Sequence, residues 1–265
     1  MPFGTKKVAY ISGKKITYRE QGKGKPWVFL HGLAGSSKSW KFQFNEFAND
    51  KKIIAWDAPG YGESDCLPSN INLFSETLYE LLKNLQLTKI GLVGHSMGGI
   101  VAGHFASKYS ECVEALVLSC THVGNGFKKG LPLQENYQNR LQSLINDSPA
   151  SYGHKRAIAM LASGASKTAI DMASSIAAET RSDGLELASR LIQETNNTRN
   201  LKKLKLPVTI VYGDKDPIVP LEKTKELIKL IPHSNPITIH SAGHAPYLEK
   251  PEKFNNVIRI AFSKF

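Results

Sequence analysis

The chain has 265 residues, 41% of them hydrophobic, which suits one large globular domain or one domain carrying an insertion. Its net charge is +11, from 34 basic and 23 acidic residues, but the lysine pairs are scattered. Without a basic face, arginine forks or aromatic stacking, the composition argues against a nucleic-acid partner and for a solvated surface whose field favours anionic ligands.

No apolar run approaches the ~18 residues of a membrane span. Met1 to Gly24 alternates charged and apolar residues, without a stretch of signal-peptide type. A soluble, cytoplasmic protein without a membrane partner is expected. Cys66, Cys112 and Cys120 lack metal-ligand spacing, and Cys120 closes an apolar run as a buried thiol would. No metal or organic cofactor is expected, because there is no H-E-x-x-H and no glycine loop with a phosphate-binding lysine. The oligomeric state is not readable.

In chain order, VAYIS and KITYRE around Gly13-Lys14 predict a hairpin. PWVFLHG (26–32) and KKIIAWD (51–57) predict buried strands. Between them, SSKSWKFQFNEFA offers a serine N-cap and helical spacing. Residues 72–87 predict an amphipathic helix with Leu78, Leu82 and Leu85 on one face. KIGLVG (89–94) and VEALVLSC (113–120) are strands flanking a helix over MGGIVAGHFASKY. From 123 to 200 no strand is evident; HKRAIAMLA, TAIDMASSIAAET and GLELASRLIQET predict helices. Alternation resumes with strands PVTIVYG (207–213) and PITIHSAG (236–243), each followed by a helix. The pattern predicts an α/β fold with a mainly parallel sheet flanked by helices. Residues 1–122 and 201–265 form the core, and 123–200 a helical insertion.

Gly94-His95-Ser96-Met97-Gly98 fits G-x-S-x-G, a strained strand-to-helix turn that lifts a serine hydroxyl above the sheet. Serine needs a base, and the expected chain order is serine, acid, histidine. YGDKDPIVP and SAGHAPYLEKP follow two later strands, so both loops leave the carboxyl ends where sites in such sheets gather. His244 is the candidate base. Asp214 and Asp216 both lie in the acid loop; Asp216, one step further out, is preferred, with the other as a turn residue. Met97 N–H is one expected oxyanion donor, and Leu33 N–H, after the 26–32 strand, is the candidate second. His31 is expected to brace that loop.

Together FLHGLAGSS, DAPGYGESD, GHSMGG, GDKDPIVP and GHAPYLEKP, in this order, resemble the α/β-hydrolase superfamily over nearly the whole chain. The resemblance implies an eight-stranded, mostly parallel sheet, a helical cap at 123–200, and a structural role for Asp57 and Ser64. It implies hydrolysis of an ester or lactone through Ser96, His244 and Asp216. Ser96 counts against the aspartate-dependent dehalogenases and epoxide hydrolases of that superfamily. His95 resembles esterases, lactonases and haloperoxidase-like members. Carbon–carbon hydrolases of ring-fission products more often carry asparagine there, and an aromatic residue where this chain has Ala245. The end of the cap is similar to the 3-oxoadipate enol-lactonase and haloperoxidase-like group. A carboxylated lactone needs a cation near the pocket, and Arg181 is the candidate anchor; a solvated helix-end arginine is the competing reading. Perhydrolase activity and a triad-bearing small-molecule receptor are the further alternatives. Met160, Leu161, Ile170, Met172 and Ile176 either roof an acyl pocket or pack the cap, and Trp40 and Phe74 either line a mouth or pack helices.

Overall fold

The computed structural model describes residues 3–265. Strands β1 (Thr5–Ile11) and β2 (Lys14–Gln21) form the expected hairpin. β3 (Lys25–Leu30) leads through a short 3-10 turn to α1 (Lys41–Phe47), and β4 (Lys51–Trp56) to α2 (Ile71–Asn84). β5 (Ile90–His95) runs into α3 (Met97–Lys108), and β6 (Val113–Ser119) precedes α4 (Glu135–Asn146), α5 (Pro149–Met160), α6 (Lys167–Ala177), α7 (Ser182–Glu194) and the single turn α8 (Thr198–Leu201). β7 (Val208–Gly213), α9 (Leu221–Leu230), β8 (Asn235–Ile239), the turn α10 (Pro246–Glu249) and α11 (Pro251–Ala261) close the chain.

The eight strands lie in the order β1-β2-β4-β3-β5-β6-β7-β8. β1 and β2 pair antiparallel, as do β2 and β4; every later pairing is parallel. Parallel strands need both faces covered, and the side-chain period of two divides their residues between two cores. Val28, Leu30, Ile54, Trp56, Leu92, Leu116 and Leu118 point to the face covered by α2, α3 and α9. Trp27, Phe29, Ile53, Ala55, Val93, Val117 and Val211 point to the face covered by α1 and α11. Each fully buried valine, leucine, isoleucine or phenylalanine among them contributes roughly 1.5–3 kcal/mol. The continuous apolar runs in β3 to β7 thus place those strands at the sheet centre.

Local signals set the helix starts. Ser36 caps the 3-10 turn by accepting from Lys38 N–H at 3.2 Å, and Asn70 caps α2 by accepting from Asn72 N–H at 2.9 Å. Trp40 and Phe74, both 0% exposed, are core residues and do not line a mouth. The four longer helices between β6 and β7 split across the two cores. Tyr137 of α4 and Leu187, Leu191 and Ile192 of α7 join the first, and Ala157, Ala169 and Ala173 of α5 and α6 join the second. α4 is the one helix of this stretch that its sequence does not announce, because among its twelve residues Tyr137 alone is buried. No helix of the described residues is long and apolar enough to cross a membrane.

One buried contact between helices carries a pH prediction. His104 of α3 meets Ser75 Oγ of α2 at 2.8 Å, and burial, with Lys108 nearby, lowers its pKa from 6.5 to about 4. The unfolded chain therefore binds a proton that the folded chain refuses between those values. Stability is fully present above pH 6.5 and falls as pH drops towards about 4, by roughly 3 kcal/mol at most for this group. Urea midpoints measured across the window should decline, and His104→Gln should flatten the decline. An equal slope in the variant would remove His104 as the cause.

Candidate active site

Ser96 sits between β5 and α3 with φ 53° and ψ −118°, a conformation that non-glycine residues rarely hold. Its neighbours impose this turn. The Ser96 amide donates to Ser119 O at 2.9 Å, and Ser96 O accepts from Gly99 N–H at 2.9 Å and from Thr121 Oγ1 at 2.6 Å. A Cβ on Gly98 would lie 2.2 Å from Leu30 O, and one on Gly94 would lie 2.4 Å from Gly98 O. Both contacts are to backbone that cannot yield, so the turn requires glycine at each position.

The sheet brings the other residues to the same edge. In the parallel pairing of β3 with β5, Leu30 lies opposite Gly94, so the loops after these strands leave side by side. Gly32 and Leu33 thereby border the space over Ser96. Neither Leu33 N–H nor Met97 N–H donates to another group in the turns and loops of the described residues. His31 holds this loop, as expected. Its Nε2 accepts from Ala58 N–H at 3.0 Å, so Nδ1 carries the proton and donates to Gly32 O at 2.8 Å. Burial lowers the His31 pKa, which keeps the brace neutral. Asp57 accepts from Ser37 N–H at 2.7 Å and Thr17 Oγ1 at 2.8 Å, and Ser64 Oγ donates to Asp57 O at 2.8 Å. Both are loop ties away from the serine.

His244 follows β8, and its Nε2 lies 3.0 Å from Ser96 Oγ. Its Nδ1 lies 2.9 and 3.1 Å from the two carboxylate oxygens of Asp216, after β7. Asp216 Oδ1 also accepts from the amides of Ile218 at 2.8 Å and Val219 at 3.0 Å. Burial by itself would raise the Asp216 carboxyl; His244 and these two amides outweigh it and hold the pKa below the usual carboxylate range. Asp214 lies elsewhere, accepting from Ser241 N–H at 2.7 Å and His240 Nδ1 at 3.1 Å. The structure thus brings Ser96, His244 and Asp216 together and leaves Asp214 as the brace of the β8 turn.

Two supports of His244 are not evident in the sequence. Its amide donates to Met160 O at the end of α5, at 2.8 Å. Buried Glu249 accepts from the amides of Gly243 at 2.9 Å, Ala245 at 3.1 Å and Ala162 at 2.8 Å. A buried carboxylate with three amide donors fixes the histidine loop against the α5–α6 connection. Its only sequence signal is an acidic residue five positions after His244. His95, beside Ser96, packs its ring 4.8 Å from that of His244, and burial drives its pKa well down, so it stays neutral there. Cys120 is buried as expected. Its sulfur, Asp216 and His244 offer ligand atoms within 4.8 Å of one another. The carboxylate and Nδ1 already bond each other, and burial raises the thiol pKa well above its usual value, so this group does not have the character of a metal site.

Ser96 and His244 open into a cavity of about 600 Å³ roofed by α4, α5 and α6. Met160 and Ile176 line it, whereas Leu161, Ile170 and Met172 pack in the second core. Arg181 does not fill the role expected of it. Its guanidinium is tied to Asp183 at 2.8 Å and to the carbonyls of Gly62 and Ser64 at 3.2 and 3.1 Å, outside the cavity lining. The competing reading, a helix-end arginine, describes it. The cations that do line the cavity are Arg140, Arg156 and Lys223. Their helices carry no motif; the folding of α4 and α5 over the sheet turns Arg140 and Arg156 inwards, and Lys223 enters from α9.

A family model for the alpha/beta hydrolase fold matches residues 25–251. A pimeloyl-acyl-carrier-protein methyl ester esterase of Hamiltonella defensa is 25% identical over 92% of this chain and 95% of its own length. Among solved structures, bromoperoxidase from Bacillus anthracis superposes with a TM-score of 0.86 at 24% identity, over 98% of this chain and 100% of that one. The enol-lactonase of Burkholderia xenovorans LB400 gives 0.85 at 16% identity, over 97% and 100%. With the same open eight-stranded sheet and a family match over most of its length, the chain belongs to the α/β-hydrolase family.

Proposed function

We propose that this hydrolase cleaves carboxylic esters or lactones with Ser96 as nucleophile, His244 as general base and Asp216 as the carboxylate that fixes the imidazole. The observation that carries the reading is the line of contacts from Ser96 Oγ to His244 Nε2 at 3.0 Å and from His244 Nδ1 to Asp216 at 2.9 Å, open to the cavity. Asp216 accepts the hydrogen bond from His244 Nδ1–H, which keeps the proton on Nδ1 and leaves Nε2 free to accept from Ser96.

As Ser96 Oγ attacks the carbonyl carbon, its proton passes to Nε2. The carbonyl electron pair moves to oxygen, and that oxyanion accepts from Leu33 N–H and Met97 N–H. Collapse of the tetrahedral intermediate breaks the C–O bond, and His244 returns the proton to the leaving alcohol. In a lactone that alcohol stays attached to the acyl chain. Water, deprotonated by His244, then attacks the acyl-enzyme, releasing the acid and restoring Ser96. In this reading residues 123–200 are a cap over a core of residues 1–122 and 201–265. The cap excludes bulk water and shapes the substrate space. The cavity volume suits a short ester or a small lactone of the enol-lactonase kind. The relative named for a methyl ester supports the ester class.

Diethyl p-nitrophenyl phosphate tests the assignment, because it phosphorylates an activated serine and releases one p-nitrophenol. One equivalent should be released, with the adduct mapped to Ser96 by peptide mass. An adduct on another serine, or none, overturns the reading. Sustained turnover of p-nitrophenyl acetate separates an enzyme from a receptor that reacts once.

A further inference from the structure

Two arginines in the cavity have no counter-charge. Arg181, Arg190 and Arg259 each pair with a carboxylate. Arg140 and Arg156 pair with none and donate no hydrogen bond among the described residues; Arg140 lies 5.8 Å over the Tyr137 ring. Burial, and then the neighbouring Arg140, lower the Arg156 pKa to about 10, so the two guanidinium groups feel each other in a partly dry space. The Tyr152 hydroxyl close by is buried without a hydrogen-bond partner. Lys223, held by Asn125 Oδ1 at 3.0 Å, adds a third cation to the lining, against a single acid, Glu226. The lining histidines His95 and His122 are held neutral by burial, the latter at about 4. Like charges side by side and half desolvated are unfavourable unless an anion joins them. Guanidinium forks match a carboxylate in shape as well as charge.

We infer that Arg140 and Arg156 form an anion subsite that selects substrates carrying a free carboxylate, such as monoesters of dicarboxylic acids, with their ester carbonyl at Ser96. This rests on the hydrolase reading given above. The reaction is the ordinary one: monoester and water give dicarboxylate and alcohol.

The test compares monomethyl with dimethyl esters of succinate, adipate and suberate. For at least one chain length, wild-type kcat/KM should favour the monoester by about tenfold or more. Arg156→Gln should reduce that preference by about tenfold to hundredfold, entering mainly through KM, with Arg156→Lys intermediate. Free dicarboxylate of the same length should raise the melting temperature of the Ser96→Ala protein and fail to do so once Arg156→Gln is added. Should Arg156→Gln not fold, Arg140→Gln takes its place in both measurements. Hydrolysis of mono- and diesters at equal efficiency, with no thermal shift from any dicarboxylate, overturns the subsite and leaves the hydrolase reading standing. A shift that depends on Arg156 in a protein that cleaves no ester overturns the hydrolase reading and leaves the subsite. Inorganic phosphate giving a larger Arg156-dependent shift than every dicarboxylate overturns the carboxylate assignment.

Discussion

On the proposed mechanism, Ser96→Ala is expected to lower kcat for p-nitrophenyl acetate by on the order of 10⁴-fold or more, while the melting temperature stays near wild type. The first half follows from chemistry. Without Oγ there is no atom to form the acyl bond, and water attacking unaided gains only from the oxyanion donors. The second half follows from geometry. The strained backbone at φ 53° is held by Ser119 O, Thr121 and the turn amides, none of which touches Oγ. The only side-chain bond lost is the one to His244 at 3.0 Å. Steady-state rates and thermal denaturation of the same preparation check both halves. Activity near wild type would end the serine-hydrolase proposal. Lost activity with a collapsed melting temperature would reduce the result to unfolding.

Asp216→Asn is expected to lower kcat by about 10⁴-fold, and Asp214→Asn to leave it near wild type. Asp216 Oδ1 accepts from Ile218 N–H at 2.8 Å and Val219 N–H at 3.0 Å, so an asparagine must keep its oxygen there. Its NH₂ then takes the place of Oδ2, 2.9 Å from His244 Nδ1, and donates to it. That hydrogen bond favours the tautomer with the proton on Nε2, which cannot accept from Ser96. Asp214 bonds only Ser241 and His240, and its replacement disturbs a turn. The two kcat values measured side by side decide the matter, and a large loss at Asp214 with a small one at Asp216 would reverse the assignment.

Much of this arrangement is legible in the residues. Short continuous apolar runs such as WVFL and IGLV, bounded by glycine or proline, read as strands covered on both faces. Gly94 and Gly98 flag the turn at Ser96 because any Cβ there strikes backbone. Chain order then points to the loops after β7 and β8. The polar α4 escapes notice, since most of its residues are polar and Tyr137 alone is buried. Glu249 escapes because three amide donors from separate turns give its carboxylate its meaning.

The sequence by itself determined the α/β architecture, the place of the strained turn at Ser96 and the two loops that carry Asp216 and His244. These follow from local rules: side-chain period, turn sterics and the short reach of strand-to-helix connections. The tertiary structure decided which aspartate meets His244: Asp214 and Asp216 lie two residues apart in one loop, and only the fold turns Asp214 to Ser241 and His240 and Asp216 to Ile218, Val219 and His244. It also decided which arginines face the cavity. Arg181 looks the better candidate from its place in the chain, yet it spends its donors on Asp183 and two carbonyls. Arg140 and Arg156 come together only when helices distant from the serine in sequence fold across the sheet. Charge neutralisation and cavity lining depend on distance in space, which no single segment encodes.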